Sequence, residues 1–212
     1  MAAISRPSKI VCVGRNYLAH AAEMGSQVPA EPLLFLKPSS ALLPPGDPIR
    51  IPPGVGQVDF EGEIGVLLGR RARGVSEADA LDFVEGLLPV NDVTARDLQR
   101  KDSQWGRAKG FDTFFPVGEP APLESIDLLK LAVVTRVNGR ERQRGTTEQM
   151  VFSIPFLISY ISRIMTLEPG DVIATGTPEG VGPLQVGDEV EVELEGLSTL
   201  TNPVASWQED ES

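Results

Sequence analysis

The sequence predicts an α+β fold in which packed mixed sheets dominate and helices are few and short. The chain contains 21 Gly and 18 Pro residues, which predict many turns. Its strand candidates outnumber its helix candidates, and the two do not alternate as they would in a doubly wound parallel sheet. At 212 residues the chain is long enough for one domain with a substantial core. We expect a single domain over 1–212, with its core at about 10–204 and a frayed acidic carboxyl-terminal tail.

Short runs rich in β-branched and aliphatic residues are the predicted strands. They lie at 9–13, 33–36, 60–68, 87–91, 131–137, 140–144, 171–175 and 188–195. Asn138-Gly139 separates two of them and predicts a tight hairpin, because both residues tolerate the positive φ that such a turn requires.

Three other stretches are predicted helices. Two begin with a Ser or Thr followed three residues later by Asp, a pattern typical of helix starts. The third spaces its apolar residues three and four apart, along one helix face. They begin at Ser76, Thr94 and Ser153, and the last extends to about Met165.

Composition excludes several classes of protein. A net charge of −11 without a basic stripe argues against nucleic-acid binding. The longest apolar stretch, 150–165, is too short and too interrupted to span a membrane. With Cys12 as the single cysteine, no disulfide forms within the chain, as is usual in a reducing cytoplasm. The first residues lack the apolar core of a signal peptide, so we expect a cytoplasmic protein.

The stretch QVDFEGEIGVLLG, residues 57–69, places Asp59, Glu61 and Glu63 at alternate positions of a predicted strand. Alternate side chains share one face, roughly 7 Å apart, and at an effective dielectric of about 20 each adjacent pair repels by ~2.4 kcal/mol. The three carboxylates are therefore solvated, protonated or bound to a cation.

A second alternating acidic run provides the contrast. In residues 188–197, four glutamates alternate with apolar residues, which is the pattern of a half-buried strand with one solvated face. The run at 64–68 is instead apolar on both faces, which favours a cation for the acidic residues before it. Hard divalent cations prefer oxygen ligands. Asp92, at the end of a predicted strand, is a third candidate ligand, although it also suits a turn or a helix start.

The remaining candidates are a base and an anion-binding loop. His20, the only histidine, precedes Glu23 by three residues, so on a helical turn the two hydrogen-bond and the imidazole becomes more basic. A surface His beside a surface Glu is the alternative. Lys109 lies in a Gly-flanked loop and by itself suits a surface lysine. The Gly-rich loop 175–182 presents backbone N–H groups and Thr177 to an anion, without matching a phosphate loop or a dinucleotide fingerprint.

These stretches together resemble the fumarylacetoacetate hydrolase family, in particular its short acylpyruvase-like and oxaloacetate-tautomerase-like members. The resemblance runs from Ile10 to Val204 and is carried, in order, by VGRNYLAHAAEMG, PLLFLKPSSAL, DFEGEIGVLLG, NDVTARDLQ, AKGFD, GTTEQMVFSIPFLISYIS and GDVIATGTPEGVG. It implies a β-rich fold of packed sheets, a homodimer, and Mg²⁺ or Mn²⁺ as cofactor, with Ca²⁺ as a substitute.

The resemblance also implies roles for individual residues. Asp59 matches no direct ligand and is expected to support the ligands, or to order the loop, without contacting the cation. The expected metal ligands are Glu61, Glu63 and Asp92; the expected catalytic residues are His20 and Glu23 on a mobile lid, residues 16–26, together with Lys109; and the expected substrate-binding residues are Arg15, Gln99, Gly176 and Thr177.

The function implied is hydrolysis of a C–C bond in 2,4-dioxo acids, the acylpyruvates, yielding pyruvate and a carboxylic acid. The His20–Glu23 pair would activate water, while Lys109 and Thr177 would hold developing negative charge. The alternative is keto–enol tautomerisation or decarboxylation of oxaloacetate, another small 2-oxo acid. A noncatalytic metal-dependent binding protein is a more remote third. The long amino-terminal domain of larger members is not present in this sequence, which argues against fumarylacetoacetate as substrate.

Overall fold

The computed structural model describes residues 6–23, 25 and 29–207, and strands make up most of its regular structure. In chain order the strands are β1 (Ile10–Gly14), β2 (Leu33–Lys37), β3 (Leu42–Leu43), β4 (Ile49–Ile51), β5 (Val58–Phe60), β6 (Gly62–Leu68), β7 (Val84–Asn91), β8 (Thr94–Ala95), β9 (Phe115–Pro116), β10 (Ala132–Val137), β11 (Arg140–Thr146), β12 (Val172–Ala174), β13 (Gly182–Pro183), β14 (Glu189–Leu194) and β15 (Ser198–Ser206). The helices are α1 (Leu18–Glu23), α2 (Arg96–Lys101), α3 (Gly106–Lys109) and α4 (Ile154–Ile164).

Two five-stranded mixed sheets form the frame. The first has the order β2-β1-β12-β6-β7, with β1 and β12 parallel and the other pairs antiparallel. The second has the order β11-β10-β14-β15-β4, in which only β15 and β4 are parallel. Smaller sheets join β13-β5-β8 and β3-β9. The predicted class, α+β with packed mixed sheets and a few short helices, is confirmed.

The first sheet is buried on both faces. One apolar cluster joins it to the second sheet and to α4, and includes Ile64, Val66, Val133, Leu157 and Val192. Another covers its opposite face and includes Cys12, Leu67, Leu88, Phe115 and Val172. Every residue of β6 is buried, as its two-sided apolar pattern indicates. Among the described residues, no helix has both the length and the apolar character needed to cross a membrane.

The strand and helix predictions fare differently. All eight predicted strands are present, and Asn138 and Gly139 adopt φ of 52° and 72° in the hairpin between β10 and β11. The predicted helix from Ser153 is confirmed as α4, whose first turn is capped by the Ser153 hydroxyl accepting from the Phe156 N–H. The polar strand β15 and the short β3, β4, β8, β9 and β13 carry too weak a pattern to be predicted.

The other two helix predictions are wrong in position. The stretch from Ser76 forms only a 3₁₀ turn at Ala80–Phe83, because the following residues pair with β6 as β7. Thr94 does not cap a helix. It pairs with Asp59 in β8, and the helix begins at Arg96 without a side-chain cap.

Gly62 lets the acidic strand lie directly against the second sheet. A Cβ atom at this position would lie 1.9 Å from the Thr135 hydroxyl oxygen and 3.3 Å from a methyl carbon of Val192. The Thr135 hydroxyl is buried and has no hydrogen-bond partner among the described residues. The residue between Glu61 and Glu63 is therefore held to glycine by close packing against this threonine.

Gly62→Ala should lower the free energy of unfolding of the metal-free protein by about 1–3 kcal/mol through overpacking. Thr135→Ala removes the clashing oxygen, so the double variant should recover most of this loss, while Thr135→Ala by itself should cost less than Gly62→Ala. Urea unfolding of the four proteins measures these values. Equal losses in Gly62→Ala and in the double variant would contradict the close approach.

Candidate active site

Three buried carboxylates converge where β6 and β7 begin to separate. Glu61 occupies the break between β5 and β6, Glu63 lies on β6, and Asp92 follows the last residue of β7. The Asp92 N–H donates to the Glu61 carbonyl at 2.8 Å, and the Asn91 side-chain oxygen accepts from the Glu61 N–H at 2.9 Å. One carboxylate oxygen from each of the three acidic residues lies within 4.8 Å of the others.

Two buried lysines contact this triad. The Lys109 ammonium, at the end of α3, lies 2.8 Å from Glu61 Oε2 and 2.5 Å from Asp92 Oδ2. The Lys37 ammonium, at the end of β2, lies 2.6 Å from the other Asp92 oxygen. Both lysines are 2% exposed, which excludes the surface alternative for Lys109. Asp92 is therefore held from both sides.

Arg96 connects the triad to the rest of the cleft. Its guanidinium lies 2.7 Å from Asp59 Oδ2 and 2.5 Å from Glu61 Oε1, and it donates to the Gln99 side-chain oxygen at 2.8 Å. Gln57 donates to the other Asp59 oxygen at 2.7 Å. Asp59 thus contacts the arginine and lies outside the triad.

The two glutamates have opposite electrostatic environments. Burial disfavours the charged form of both, but Arg96 and Lys109 hold the pKa of Glu61 well below its usual range. Burial, together with the charges of Asp92 and Glu61, raises the pKa of Glu63 well above its usual value. Within the described residues, no cationic side chain forms an ion pair with Glu63. In the described part of the chain, Glu63 is therefore the one carboxylate of the triad without a cationic partner.

The donor set fits a divalent cation. Around the triad, four buried carboxylates face three buried cationic side chains: Asp59, Glu61, Glu63 and Asp92 against Lys37, Arg96 and Lys109. With all seven groups ionised, the cluster carries one excess negative charge, which a bound cation would compensate. Oxygen ligands on opposite sides of Mg²⁺ lie about 4 Å apart, close to the spread of the three carboxylates, and oxygen-only sites suit Mg²⁺ and Mn²⁺.

The predicted base faces the same site. His20 is 6% exposed, and its Nδ1 lies 3.3 Å from Glu23 Oε2 on the helical turn α1, so the surface alternative is excluded. The Glu23 carboxylate also accepts from the Gly180 N–H, at 3.1 and 3.2 Å. Glu23 therefore links α1 to loop 175–182. Of the predicted lid, 16–26, residues 24 and 26 lie outside the described residues.

A cleft of about 220 Å³ brings the predicted residues together. This is smaller than the roughly 300–1,000 Å³ of a typical small-molecule pocket, and indicates a ligand of a few carbon atoms. Glu23 and Gly176 do not line it: Glu23 supports His20, and the Gly176 N–H donates to Glu63 at 2.7 Å. The lining residues are Val13, Gly14, Arg15, His20, Phe35, Glu61, Glu63, Asp92, Arg96, Gln99, Arg100, Trp105, Lys109 and Thr177.

Several polar residues of the site carry little signal in the sequence and were not predicted, chiefly Lys37, Arg96 and Gln143. Only Lys37 carries a usable signal, since it ends an otherwise apolar strand, LLFLK, and a lysine there is costly unless paired. Arg96 lies in a stretch that reads as an amphipathic helix start, and Gln143 lies among charged residues of a hairpin strand.

The chain is similar to several known proteins. Residues 9–205 match the family model described as fumarylacetoacetate hydrolase C-terminal. The mitochondrial oxaloacetate tautomerase of Homo sapiens is 49% identical over 197 residues, which cover 91% of this chain and 89% of that protein. Two solved structures are also similar. A 5-carboxymethyl-2-hydroxymuconate delta-isomerase from Mycobacterium smegmatis has a TM-score of 0.88 and 46% identity, covering 96% of this chain and 81% of its own. A fumarylpyruvate hydrolase from Pseudomonas aeruginosa, in complex with Mn²⁺ and pyruvate, has a TM-score of 0.89 and 33% identity, covering 95% and 91%.

If the carboxylate triad binds a divalent cation, Mn²⁺ should stabilise the protein, because it binds the folded state preferentially. At 100 times Kd the free energy of unfolding should rise by about 2.7 kcal/mol, and the melting temperature should rise with it. The double substitution Glu61→Gln with Glu63→Gln should remove this rise. The matched control is Glu189→Gln with Glu191→Gln, a second alternating pair on β14, which should keep it. An unchanged rise in the Glu61 and Glu63 variant would contradict the metal site.

Lys109→Met tests whether the lysine both stabilises the metal-free protein and competes with the cation for the carboxylates. Removing its charge leaves Glu61 and Asp92 less compensated, so the metal-free protein should melt at a lower temperature. The rise caused by Mn²⁺ should become larger than in the wild type, because no ammonium competes for the same oxygens. Lys37→Met, which among the three carboxylates loses only the contact to Asp92, should show a smaller enlargement. An Mn²⁺ effect no larger than that of the wild type would show that Lys109 does not compete with the cation.

Proposed function

Because the chain belongs to the fumarylacetoacetate hydrolase family, we propose that it is a divalent-cation-dependent enzyme that acts on small 2-oxo acids through their enol forms. The observation that carries the proposal is the shared cleft. A buried imidazole with a carboxylate partner faces the same small cavity as three buried carboxylates.

Glu61, Glu63 and Asp92 are the residues that would hold the cation. When bound, a cation of this kind polarises a carbonyl group and acidifies the neighbouring carbon. Gly176 keeps the Glu63 carboxylate in place through its N–H, and Arg96 does the same for Glu61.

His20 is the proposed base. Its Nδ1 faces the Glu23 carboxylate, which keeps the proton on that nitrogen and leaves the Nε2 lone pair available. Nε2 is then free to remove a proton from C3 of the substrate or from a water molecule. Glu23 in turn accepts a hydrogen bond from the Gly180 N–H, so loop 175–182 helps to orient the imidazole.

Lys109 and Thr177 have less freedom than their predicted roles require. The three ammonium protons of Lys109 are directed to Glu61, Asp92 and the Thr94 hydroxyl. Lys109 must therefore release one partner before it donates to a substrate. The Thr177 hydroxyl donates its only proton to the Gly62 carbonyl at 2.9 Å, so it does not also stabilise an oxyanion in this arrangement.

Two reactions meet these constraints. We place keto–enol tautomerisation of oxaloacetate first, because it requires only the transfer of a proton from C3 to the 2-oxo oxygen. The human tautomerase is also more similar to this chain, at 49% identity, than the fumarylpyruvate hydrolase, at 33%. Hydrolysis of acylpyruvates is the second candidate and uses the same base on water. It is favoured by the pyruvate bound to the hydrolase. The homodimer remains a proposal from the resemblance.

His20→Ala should lower kcat by about 10²–10⁴, the usual contribution of a positioned base. The Mn²⁺-induced rise in melting temperature should stay unchanged, because the carboxylates lie on other elements. Loss of enol absorbance from oxaloacetate and cleavage of acetylpyruvate, each with Mg²⁺ and with Mn²⁺, measure the two candidate reactions.

Glu23→Gln serves as the graded control and should lose less activity than His20→Ala, since its amide still orients the imidazole. Full activity in His20→Ala would remove the base from the mechanism. A wild-type protein that converts neither substrate with either metal would contradict the proposed function.

A further inference from the structure

Gln143 is a buried amide that crosses from one sheet to the other. It lies on β11, a strand whose other side chains are mostly exposed, yet it is only 1% exposed. Its Oε1 accepts from the Gly62 N–H at 3.0 Å. Its Nε2 donates to the Thr177 hydroxyl at 2.7 Å and to the Pro178 carbonyl at 2.8 Å. One side chain of the second sheet thus hydrogen-bonds both to β6 and to loop 175–182.

The contact occurs where the first sheet opens. Strand β12 pairs with β6 from Gly65 to Leu67, and the last backbone contact is the Thr175 N–H donating to the Ile64 carbonyl at 3.1 Å. The backbone groups of Gly62 then lose their neighbouring strand. Gln143 accepts from the Gly62 N–H, and Thr177 donates to its carbonyl. Two side chains therefore replace the missing strand at the residue between Glu61 and Glu63.

The polarity of these bonds fixes the direction of the Thr177 hydroxyl. The Gly62 N–H only donates and the Pro178 carbonyl only accepts, so the Gln143 amide has one orientation. The amide N–H then points to the Thr177 hydroxyl oxygen. The hydroxyl proton of Thr177 is therefore donated to the Gly62 carbonyl. Thr177, which lines the cleft, therefore has only a lone pair left for a ligand.

We propose that Gln143 is a positioning residue with two roles. It holds the strand segment that carries Glu61 and Glu63 against loop 175–182, and it makes the Thr177 hydroxyl a hydrogen-bond acceptor toward the substrate. The role in turnover rests on the function proposed above, whereas the role in cation binding does not. An acceptor at this place favours a substrate that carries a hydroxyl proton, as an enol does.

Gln143→Met keeps the length of the side chain and removes all three hydrogen bonds. Loss of such a support behind a metal ligand typically costs 10–100-fold in metal affinity or activity. We expect the Mn²⁺ dissociation constant, from electron paramagnetic resonance titration, to rise within this range. Gln143→Glu keeps an acceptor for Gly62 and loses the donor to Thr177, so it should weaken Mn²⁺ binding less and still lower kcat.

A cycle with Thr177→Val tests whether Gln143 acts through Thr177. If it does, Gln143→Met should lower kcat clearly in the wild type and only slightly in the Thr177→Val background. Additive effects in the two backgrounds would overturn this part of the proposal.

Asn202→Leu is the matched structural control. Asn202 is equally buried, on β15, and donates to the Pro44 and Asp47 carbonyls at 2.9 and 2.8 Å, away from the cleft-lining residues. It should lower the melting temperature while leaving the Mn²⁺ dissociation constant and kcat unchanged. If Gln143→Met behaves in the same way, its role is only structural and the proposal is overturned.

Two results separate this inference from the proposed function. A wild-type protein that binds Mn²⁺ but converts no 2-oxo acid would contradict the function, and the Mn²⁺ dissociation constants would still decide the role of Gln143. If Gln143→Met does not fold, Gln143→Glu decides: wild-type kcat in that folded variant would overturn the inference.

Discussion

The buried charge cluster is the constraint on which the rest of the structure depends. Removing a charged group from water costs several kcal/mol, which is recovered only where partners are close and well oriented. Each charge in this cluster meets an opposite charge or a hydrogen-bond donor within 2.8 Å, so the elements carrying them must meet in one arrangement. Those elements are β2, β5, β6, β7, α2 and α3, which carry Lys37, Asp59, Glu63, Asp92, Arg96 and Lys109 at or next to their ends.

The ladder between β12 and β6 ends before it reaches Gly62. A regular ladder would place backbone against Gly62, where the side chains of Gln143 and Thr177 lie. Instead the last backbone contact is that of the Thr175 N–H with the Ile64 carbonyl, and the side chains of Gln143 and Thr177 satisfy Gly62. A buried backbone group without a partner costs about as much as a lost hydrogen bond. The opening is therefore possible only with polar residues at these positions.

Local signals in the sequence predict some of these features and miss others for identifiable reasons. Alternation within a few residues identifies Glu61 and Glu63, the end of a predicted strand identifies Asp92, and helical spacing identifies the His20–Glu23 pair. The helix predicted from Ser76 fails because pairing with β6 outweighs a capping pattern. Gln143 was not identified because its partners lie far away in the sequence, on another sheet. Alternation also placed Asp59 beside the glutamates, whereas the break at Glu61 turns it toward Arg96.

Loop 175–182 contacts both the carboxylate partner of the predicted base and one of the predicted metal ligands. Its Gly176 N–H holds Glu63, and its Gly180 N–H holds Glu23. At the other end of α1, Asn16 donates to the Thr175 carbonyl at 2.8 Å. One short loop thus contacts both Glu63 and the carboxylate partner of His20, although these residues lie on separate elements. A proton transfer at C3 requires this fixed distance between base and polarised carbonyl, whereas hydrolysis also needs a path for water. In either of the proposed reactions the loop contacts would serve the proton-transfer step, and only hydrolysis would need the additional path for water.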